Sequence, residues 1–363
     1  MKQENNKTLS TQEEQDRAIL VFVNFDNRQN FEMDYAELKS LTETMGAEVV
    51  GKLIQNRQKP DPAFVIGKGK VEELKALIKE LDATLVIFDT ALVGSRINNL
   101  EEELEVRVID RSILILDIFA ARASSREGKL QVELAQLKYS LPRLTSLQSS
   151  EGRFGGGVGM RGPGETKLEL SKRVIEKRIL DYEKDIEKIK ENREINRNKR
   201  KTDRKKTVAI VGYTNAGKST LMNIITKANV LAKDMLFATL DTTTRNVYLE
   251  YGKEILLIDT VGFVSKLPHE FIEAFSATLE EAVYADILLH IVDVSNPLYR
   301  EQAKVVLEVL KNLGIKNTPI ITVYNKVDKA PDFVMPDEPN SVSISALKNE
   351  GIDELKQKII ALL

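Results

Sequence analysis

Cysteine is absent, histidine occurs only twice, and no apolar run is long. Without cysteine the chain has no disulfide frame, no thiolate zinc site and no cysteine nucleophile, and two histidines cannot build a His-rich metal cluster. The opening, MKQENNKTLSTQEEQDR, lacks the apolar core of a signal peptide. The longest apolar stretches, SILILDIFAA and ADILLHIVDV, fall far short of the ~20 residues a membrane helix needs. A cytosolic protein, neither secreted nor membrane-spanning, is expected. An excess of one charge is missing too: 53 Lys+Arg face 55 Asp+Glu, for a formal charge of -2. Any nucleic-acid surface must therefore be a local patch. The 363 residues suffice for two or three cored domains at roughly 150 residues each.

What is present is an alternation of short β-rich runs and amphipathic stretches. Strands are expected at Ala18 to Val23, Glu48 to Leu53, Thr84 to Phe88 and Arg107 to Asp110. Helical patterns lie between them at Tyr35 to Met45, Val71 to Leu81 and Asn98 to Leu104, which is the rhythm of a parallel sheet. A small α/β domain is placed at 1–115. The period then changes. Leu130, Leu134, Leu137 and Leu141 step by helical intervals, as do Ile175, Ile179, Tyr182, Ile186 and Ile189, so two helices with narrow apolar seams are expected. Between them, seven of the fourteen residues from Glu151 to Gly164 are glycine, which disfavours any continued helix or strand. An antiparallel helical hairpin with a Gly-rich tip is expected at 116–200. Its second helix is expected to end in the run Arg197 to Lys206, seven bases and one acid, read as a hinge or linker.

From Thr207 a second α/β pattern begins and forms the third domain, 201–363. Its strands are expected at TVAIV, Glu254 to Ile258, Ile287 to Val294, Pro319 to Tyr324 and Ser341 to Ile344, with a last helix at Ile352 to Leu363. Directly after TVAIV stand Gly212, Tyr213, Thr214, Asn215, Ala216, Gly217, Lys218 and Ser219, then Thr220 and a helical pattern. This GxxxxGK[ST] sequence between strand and helix cradles phosphates. Backbone N–H groups close around the anion at a helix N-terminus, Lys218 brings a point charge to the β and γ phosphates, and Ser219 can ligate Mg²⁺. Forty-one residues after Lys218, Asp259, Thr260, Val261 and Gly262 follow the strand EILLI. There a carboxylate can hold the Mg²⁺ shell and the glycine N–H can sense the γ phosphate.

Asn325, Lys326 and Asp328 follow PIITVY, and Ser345, Ala346 and Leu347 follow SVSI. Asp328 can accept from the two guanine donors that adenine does not present. Asn325 braces the loops, the Lys326 stem can cover the base, and the Ala346 N–H can donate to O6. An adenine would leave Asp328 facing an acceptor, so GTP and GDP are the expected ligands. Between these motifs, Leu236 to Arg245 forms a Thr-rich loop suited to switch I, with Phe237, Ala238 and Thr239 as candidate nucleotide contacts. Four threonines there compete for the Mg²⁺-ligand role.

The nucleotide motifs, with GYTNAGKST, FATLD and DTVGF in one chain, resemble the translation-factor-related P-loop GTPases. IGKGKVEEL from Ile66, DRSILILDIFAARASSREGKLQVELAQLKYSLPRL from Asp110, GMRGPGETKLE from Gly159 and LPHEFIEAFSATLEEA from Leu267 narrow the resemblance to the HflX family. It covers nearly the whole chain from Ala18. It implies a Ras-like G domain and a cytosolic GTPase that binds the large ribosomal subunit and separates stalled or idle ribosomes; rRNA contact and a monomer are expected. It assigns Thr239 as the switch I Mg²⁺ ligand beside Ser219. Lys218, Thr239 and Gly262 are then the expected catalytic residues. Many bacterial members carry a small C-terminal domain after the last G-domain helix, whereas this chain stops at Leu363.

Phe263 occupies the position where many GTPases place a water-orienting glutamine. Slow intrinsic hydrolysis, stimulated by the partner, is expected. His269, after Pro268, is read as a solvated or capping residue, and His290 in ILLHIVDV as a hydrogen-bonded core histidine. Gly67, Lys68, Gly69 and Lys70 form a short turn, read first as the start of a helix and second as an anion site. Arg153, Arg161 and the Arg197 to Lys206 run are candidate rRNA contacts. Two other functions compete: a P-loop enzyme using GTP for phosphoryl transfer or RNA modification, and a ribosome-assembly adaptor whose G domain serves as a switch.

Overall fold

The computed structural model describes residues 15–25, 31–151, 167–202, 205–226, 236–237, 242–266, 276–315 and 317–363. The chain divides into two compact units, the first up to Leu114 and the second from Ile115, with Val93–Ser95 counted in the second.

In the first unit, β1 (Arg17–Asn24), β2 (Glu48–Asn56), β3 (Leu85–Phe88) and β4 (Arg107–Asp110) form a sheet of order β2-β1-β3-β4, parallel throughout. The crossovers are α1 (Phe31–Met45), α2 (Lys68–Glu80) and α3 (Gly94–Leu104). The six interior residues of β1 are all buried, as a strand covered on both faces requires, and this is why AILVFV shows no polar alternation. Helix α2 buries Val71, Leu74 and Ile78, spaced three and four apart so that one stripe faces the core. The Gly67 carbonyl accepts from the Lys70 and Val71 N–H groups, and Gln55 Oε1 accepts from the Gly67 N–H at 2.9 Å. The GKGK turn is thus the start of α2. A buried charge cluster closes the unit: Arg111 pairs with Glu37 at 3.0 Å and with Asp89 at 2.9 Å. Two carboxylates meet one guanidinium fork, the geometry in which a buried cation is tolerated.

Arg111 also opens α4 (Arg111–Arg122), which leads in the second unit to α5 (Arg126–Glu151) and α6 (Lys167–Thr202). Glu127 pairs with Arg193, and Lys138 with Glu183 at 2.7 Å. Partner numbers fall on one helix as they rise on the other, so the two run antiparallel. Their seam is built from Leu130, Leu134, Leu137 and Leu141 against Ile175, Ile179, Tyr182 and Ile186. Ile189, expected to extend the seam, is half-buried and outside this cluster. The Gly-rich tip, with Arg153 and Arg161, lies outside the described residues. The linker expected from Arg197 is corrected: α6 stays helical through Thr202. Lys and Arg are good helix formers, so basic composition alone does not break a helix.

The second sheet contains β5 (Lys206–Gly212), β6 (Thr243–Tyr248), β7 (Glu254–Asp259), β8 (Ile287–Asp293), β9 (Ile320–Asn325) and β10 (Ser341–Ser343). Its order is β10-β9-β8-β5-β7-β6, parallel except for antiparallel β6 on the edge. Helices α7 (Lys218–Thr226), α8 (Ser276–Val283), α9 (Tyr299–Asn312) and α10 (Ile352–Leu362) accompany it. Leu221, Met222 and Ile225 of α7 share a core with Val208, Ile210, Ile255 and Leu257, and Ile352, Leu355 and Ile359 of α10 join the same core. Burying each such side chain contributes about 1.5–3 kcal/mol. Strand β6 corrects the all-loop reading of Leu236 to Arg245. Thr243 to Arg245 pair with Asp259 to Leu257, since β-branched threonines suit an edge strand whose other face is wet.

Candidate functional site

The parallel sheet brings the nucleotide motifs to the C-terminal ends of β5, β7, β9 and β10, the end at which open α/β sheets bind ligands. After Gly212, the turn through Asn215 (φ 61°) and Gly217 (φ 96°) carries the chain into α7. A side chain is barred at Gly217, where the Asn325 amide occupies the space a Cβ would need, and at Gly212, where a Cβ would stand 2.5 Å from the Ile291 carbonyl oxygen. Lys218 is buried, and its Nζ donates to the carbonyls of Gly212 at 3.2 Å and Tyr213 at 2.8 Å. Burial pushes its pKa down to about 8, against the opposing pull of Asp259. The ammonium is thus held at the phosphate cradle with its hydration shell removed.

Ser219 Oγ donates to Asp259 Oδ2 at 2.8 Å. This puts two hard oxygens side by side below the cradle, a donor pair that fits Mg²⁺. Thr260 Oγ1 donates to the Ile210 carbonyl at 2.7 Å and pins the start of the DTVG segment to β5. Phe263 follows it, buried, and forms a parallel bridge with Tyr213. Its N–H donates to the Gly212 carbonyl at 3.1 Å, and its carbonyl accepts from the Thr214 N–H at 2.8 Å. Thr214 was expected to turn its N–H onto phosphate; in this conformation that donor is engaged by Phe263.

Asn325 joins three motifs. Its Nδ2 donates to the Ala216 carbonyl at 2.8 Å, and its Oδ1 accepts from the Ala346 N–H at 3.0 Å. The brace expected of Asn325 is visible in these bonds. The Ala346 N–H, expected to face guanine O6, is already engaged by Asn325 and can reach a base only as a shared donor. Ser345 Oγ donates to Asp328 Oδ1 at 2.7 Å. That bond holds the Asp328 carboxyl below its ordinary range and charged at neutral pH. Lys326, in the left-handed region at φ 65°, reaches the Asn215 carbonyl at 2.8 Å and Asp293 Oδ2 at 2.6 Å. Leu347 projects into solvent, 77% exposed.

Sequence reasoning missed Asp293. It ends β8 and holds the Lys326 ammonium, while its Oδ1 accepts from Ser295. An acid at a strand end, ahead of an Asn-Pro turn, was the available signal. Ala238 and Thr239 lie outside the described residues, as does His269. Phe237 is buried with its ring on Phe119, centroids 4.5 Å apart, which leaves its backbone as the part able to meet a nucleotide. His290 is a core residue, but the side-chain hydrogen bond expected of it is not found at Nε2. Its Nε2 has no partner among the described residues, and burial lowers its pKa to about 4. No helix among the described residues is long and apolar enough to cross a membrane.

Residues 32–120 match the family described as GTP-binding GTPase N-terminal, and residues 122–200 the GTP-binding GTPase middle region. Residues 207–326 match the family described as 50S ribosome-binding GTPase. A GTPase HflX from Lacrimispora saccharolytica is 51% identical over 350 residues, covering 96% of this chain and 83% of that protein. The chain belongs to the HflX GTPase family. The GTPase HflX of Escherichia coli K12 is 42% identical over 350 residues, 95% of this chain and 82% of its own. Among solved structures, a GTP-binding protein from Sulfolobus solfataricus in complex with GDP is 26% identical, with a TM-score of 0.51, covering 95% of this chain and 98% of that one. GTP hydrolysis is the activity of the HflX GTPases.

Proposed function

We propose that this HflX GTPase binds the large ribosomal subunit and its rRNA in a GTP-dependent way, dissociates stalled or idle ribosomes, and is released when GTP becomes GDP and phosphate. The observation that carries the nucleotide part is the Asn325 brace. One buried amide ties the phosphate loop to both base-reading loops, so guanine and phosphates are read by one connected scaffold. In this reading the loop from Gly212 to Thr220 surrounds the phosphates and Lys218 places its charge on the β and γ groups. Gly262 donates its N–H to the γ phosphate, and Asp328 takes the guanine donors under the cover of Lys326. Ser219 and Asp259, with Thr239, would hold Mg²⁺, which when bound neutralises charge developing on the phosphates. Ser345 and Asp293 act as positioning residues for Asp328 and Lys326.

The ribosome part is supported by the family matched at residues 207–326, described as 50S ribosome-binding, and by the shape of the hairpin. A helix of 36 residues extends about 54 Å, far longer than a G domain needs, and the sequence joining it to α5 is Gly-rich and carries Arg153 and Arg161. We assign the chain three working parts, 1–115, 116–200 and 201–363, acting as a monomer in the cytoplasm. Phe263 is buried and cannot orient water, so intrinsic hydrolysis is slow and rises on the ribosome. The test is co-sedimentation with ribosomal subunits in GDP and in a non-hydrolysable GTP analogue, with single-turnover hydrolysis followed as large subunits are added. Analogue-dependent binding and stimulated turnover are expected. Equal binding in both nucleotides, or fast hydrolysis without a partner, contradicts the proposal.

A further inference from the structure

The segment after Gly262 lies across the phosphate loop, fastened at three points. Two are the backbone bonds of Phe263 to Gly212 and Thr214. The third is made by a side chain: the Ser265 N–H donates to the Tyr213 hydroxyl oxygen at 2.8 Å. All of these groups are buried, Tyr213 at 5% and Ser265 at 9% exposure. The fastening leaves no space on the cradle side of Gly262. A Cβ there would stand 2.7 Å from Thr214 Cγ2 and 2.9 Å from both Lys218 Nζ and Thr214 Cα. Gly262 thus lies close against Thr214 and the Lys218 ammonium, and placing a terminal phosphate between Gly262 and Lys218 requires one or the other to move.

We propose that the Tyr213 hydroxyl is a latch on the segment 263–265 that makes the protein discriminate against the nucleoside triphosphate, so that GTP binding includes the work of undoing the latch. This inference rests on the nucleotide-site reading above. A diphosphate leaves the latch closed because nothing of it extends to Gly262. A triphosphate brings its γ group between Lys218 and Gly262, moves residues 262–265 outward, and breaks the bond from Ser265 to Tyr213 together with the Phe263 bridge. Tyr213 is therefore a positioning residue. Its hydroxyl contacts the segment that senses the phosphate, while only its carbonyl meets Lys218.

The experiment compares the affinities of fluorescent GDP and a fluorescent non-hydrolysable GTP analogue for the full chain and for Tyr213→Phe, which keeps the ring and removes the hydroxyl. A net hydrogen bond lost from one state only changes the affinity ratio by about threefold to tenfold. The analogue is expected to gain by that factor relative to GDP. A ratio that stays at the wild-type value, with both affinities unchanged or both changed alike, overturns the latch and leaves the nucleotide-site reading standing. That reading fails separately, when Lys218→Ala keeps wild-type affinity for both nucleotides. A second measurement needs no variant. Amide exchange of the peptide containing Ser265 in the wild-type chain is expected to be slow with GDP and faster with the analogue. Equal protection in the two states refutes the proposal.

Discussion

Truncating Asn325 to alanine tests the connected scaffold most directly. The side chain is 1% exposed and bonds two loops that are far apart in sequence, through Ala216 on one side and Ala346 on the other. Both of those residues are themselves buried, so Asn325→Ala strips partners from a buried carbonyl and a buried N–H at once. Each orphaned group costs about 1–3 kcal/mol. Admission of water into the vacated space reduces the sum, and about 2–4 kcal/mol is the working value. For a unit of this size each kcal/mol lowers Tm by about 2–4 °C, so a drop of roughly 5–15 °C is expected in the second unit. Thermal unfolding by circular dichroism, with and without GDP, reads the loss, and GDP titration should show at least about tenfold weaker binding as the base loops lose their brace. Asn325→Asp keeps the acceptor for the Ala346 N–H but opposes a carboxylate oxygen to the Ala216 carbonyl, and should be no milder. Exposed Leu347→Ala provides the contrast, within about 0.5 kcal/mol of wild type. If Asn325→Ala melts with the wild type and binds GDP normally, the two bonds do not hold the site together.

Lys218→Ala should abolish tight GTP and GDP binding, measured by titration, because a buried cation at the cradle is removed. In the native state without nucleotide, Lys218 releases its proton near pH 8, while in the unfolded chain it does so near the ordinary 10.5. Between those values the unfolded state binds more protons, so Lys218 makes stability rise with pH in that window, and GDP affinity should fall as the ammonium is lost. Denaturant melts and GDP titrations on either side of pH 8 check both signs. His290 works in the acid range. Its folded pKa of about 4 lies below the ordinary 6.5, so stability falls as pH drops through that interval, by roughly 3 kcal/mol in total once the pH is below the folded value. His290→Gln should flatten that slope in acid melts, and an unchanged slope assigns the effect elsewhere. Asp328→Asn gives the guanine N1–H a poorer acceptor and should reduce the preference for GTP over ATP in competition binding; an intact preference contradicts the base-reading assignment. The double change Arg153→Ala, Arg161→Ala should slow ribosome splitting followed by light scattering while GTP binding stays near normal, and splitting at the wild-type rate moves the active surface to another part of the chain.

The amino-acid sequence by itself determined those features that are periodic or contiguous. The hairpin seam was legible because an apolar side chain every three or four residues can face only one partner on a helix, and all the leucines and isoleucines so spaced except Ile189 form it. Most strands were legible to within a residue or two because two-sided burial demands unbroken β-branched runs. The phosphate loop, the DTVG turn and the base-reading motifs were legible for a different reason. Their chemistry needs particular residues at fixed spacing, whatever the rest of the chain does. Tertiary structure alone decided which distant groups meet. Asp293 on Lys326, Tyr213 on Ser265, Asn325 on Ala216 and Arg111 between Glu37 and Asp89 join residues separated by long and unrelated stretches of chain. No local pattern encodes such a pair, because either residue would look the same in sequence if it faced water. The same holds for β6, whose Thr-rich segment is strand only because β7 offers it an open edge, and for His290, whose low pKa comes from packing around it and not from its neighbours in the chain. Local periodicity is fixed by backbone geometry, whereas the partner of a polar group is fixed by how the sheet and its loops close around it.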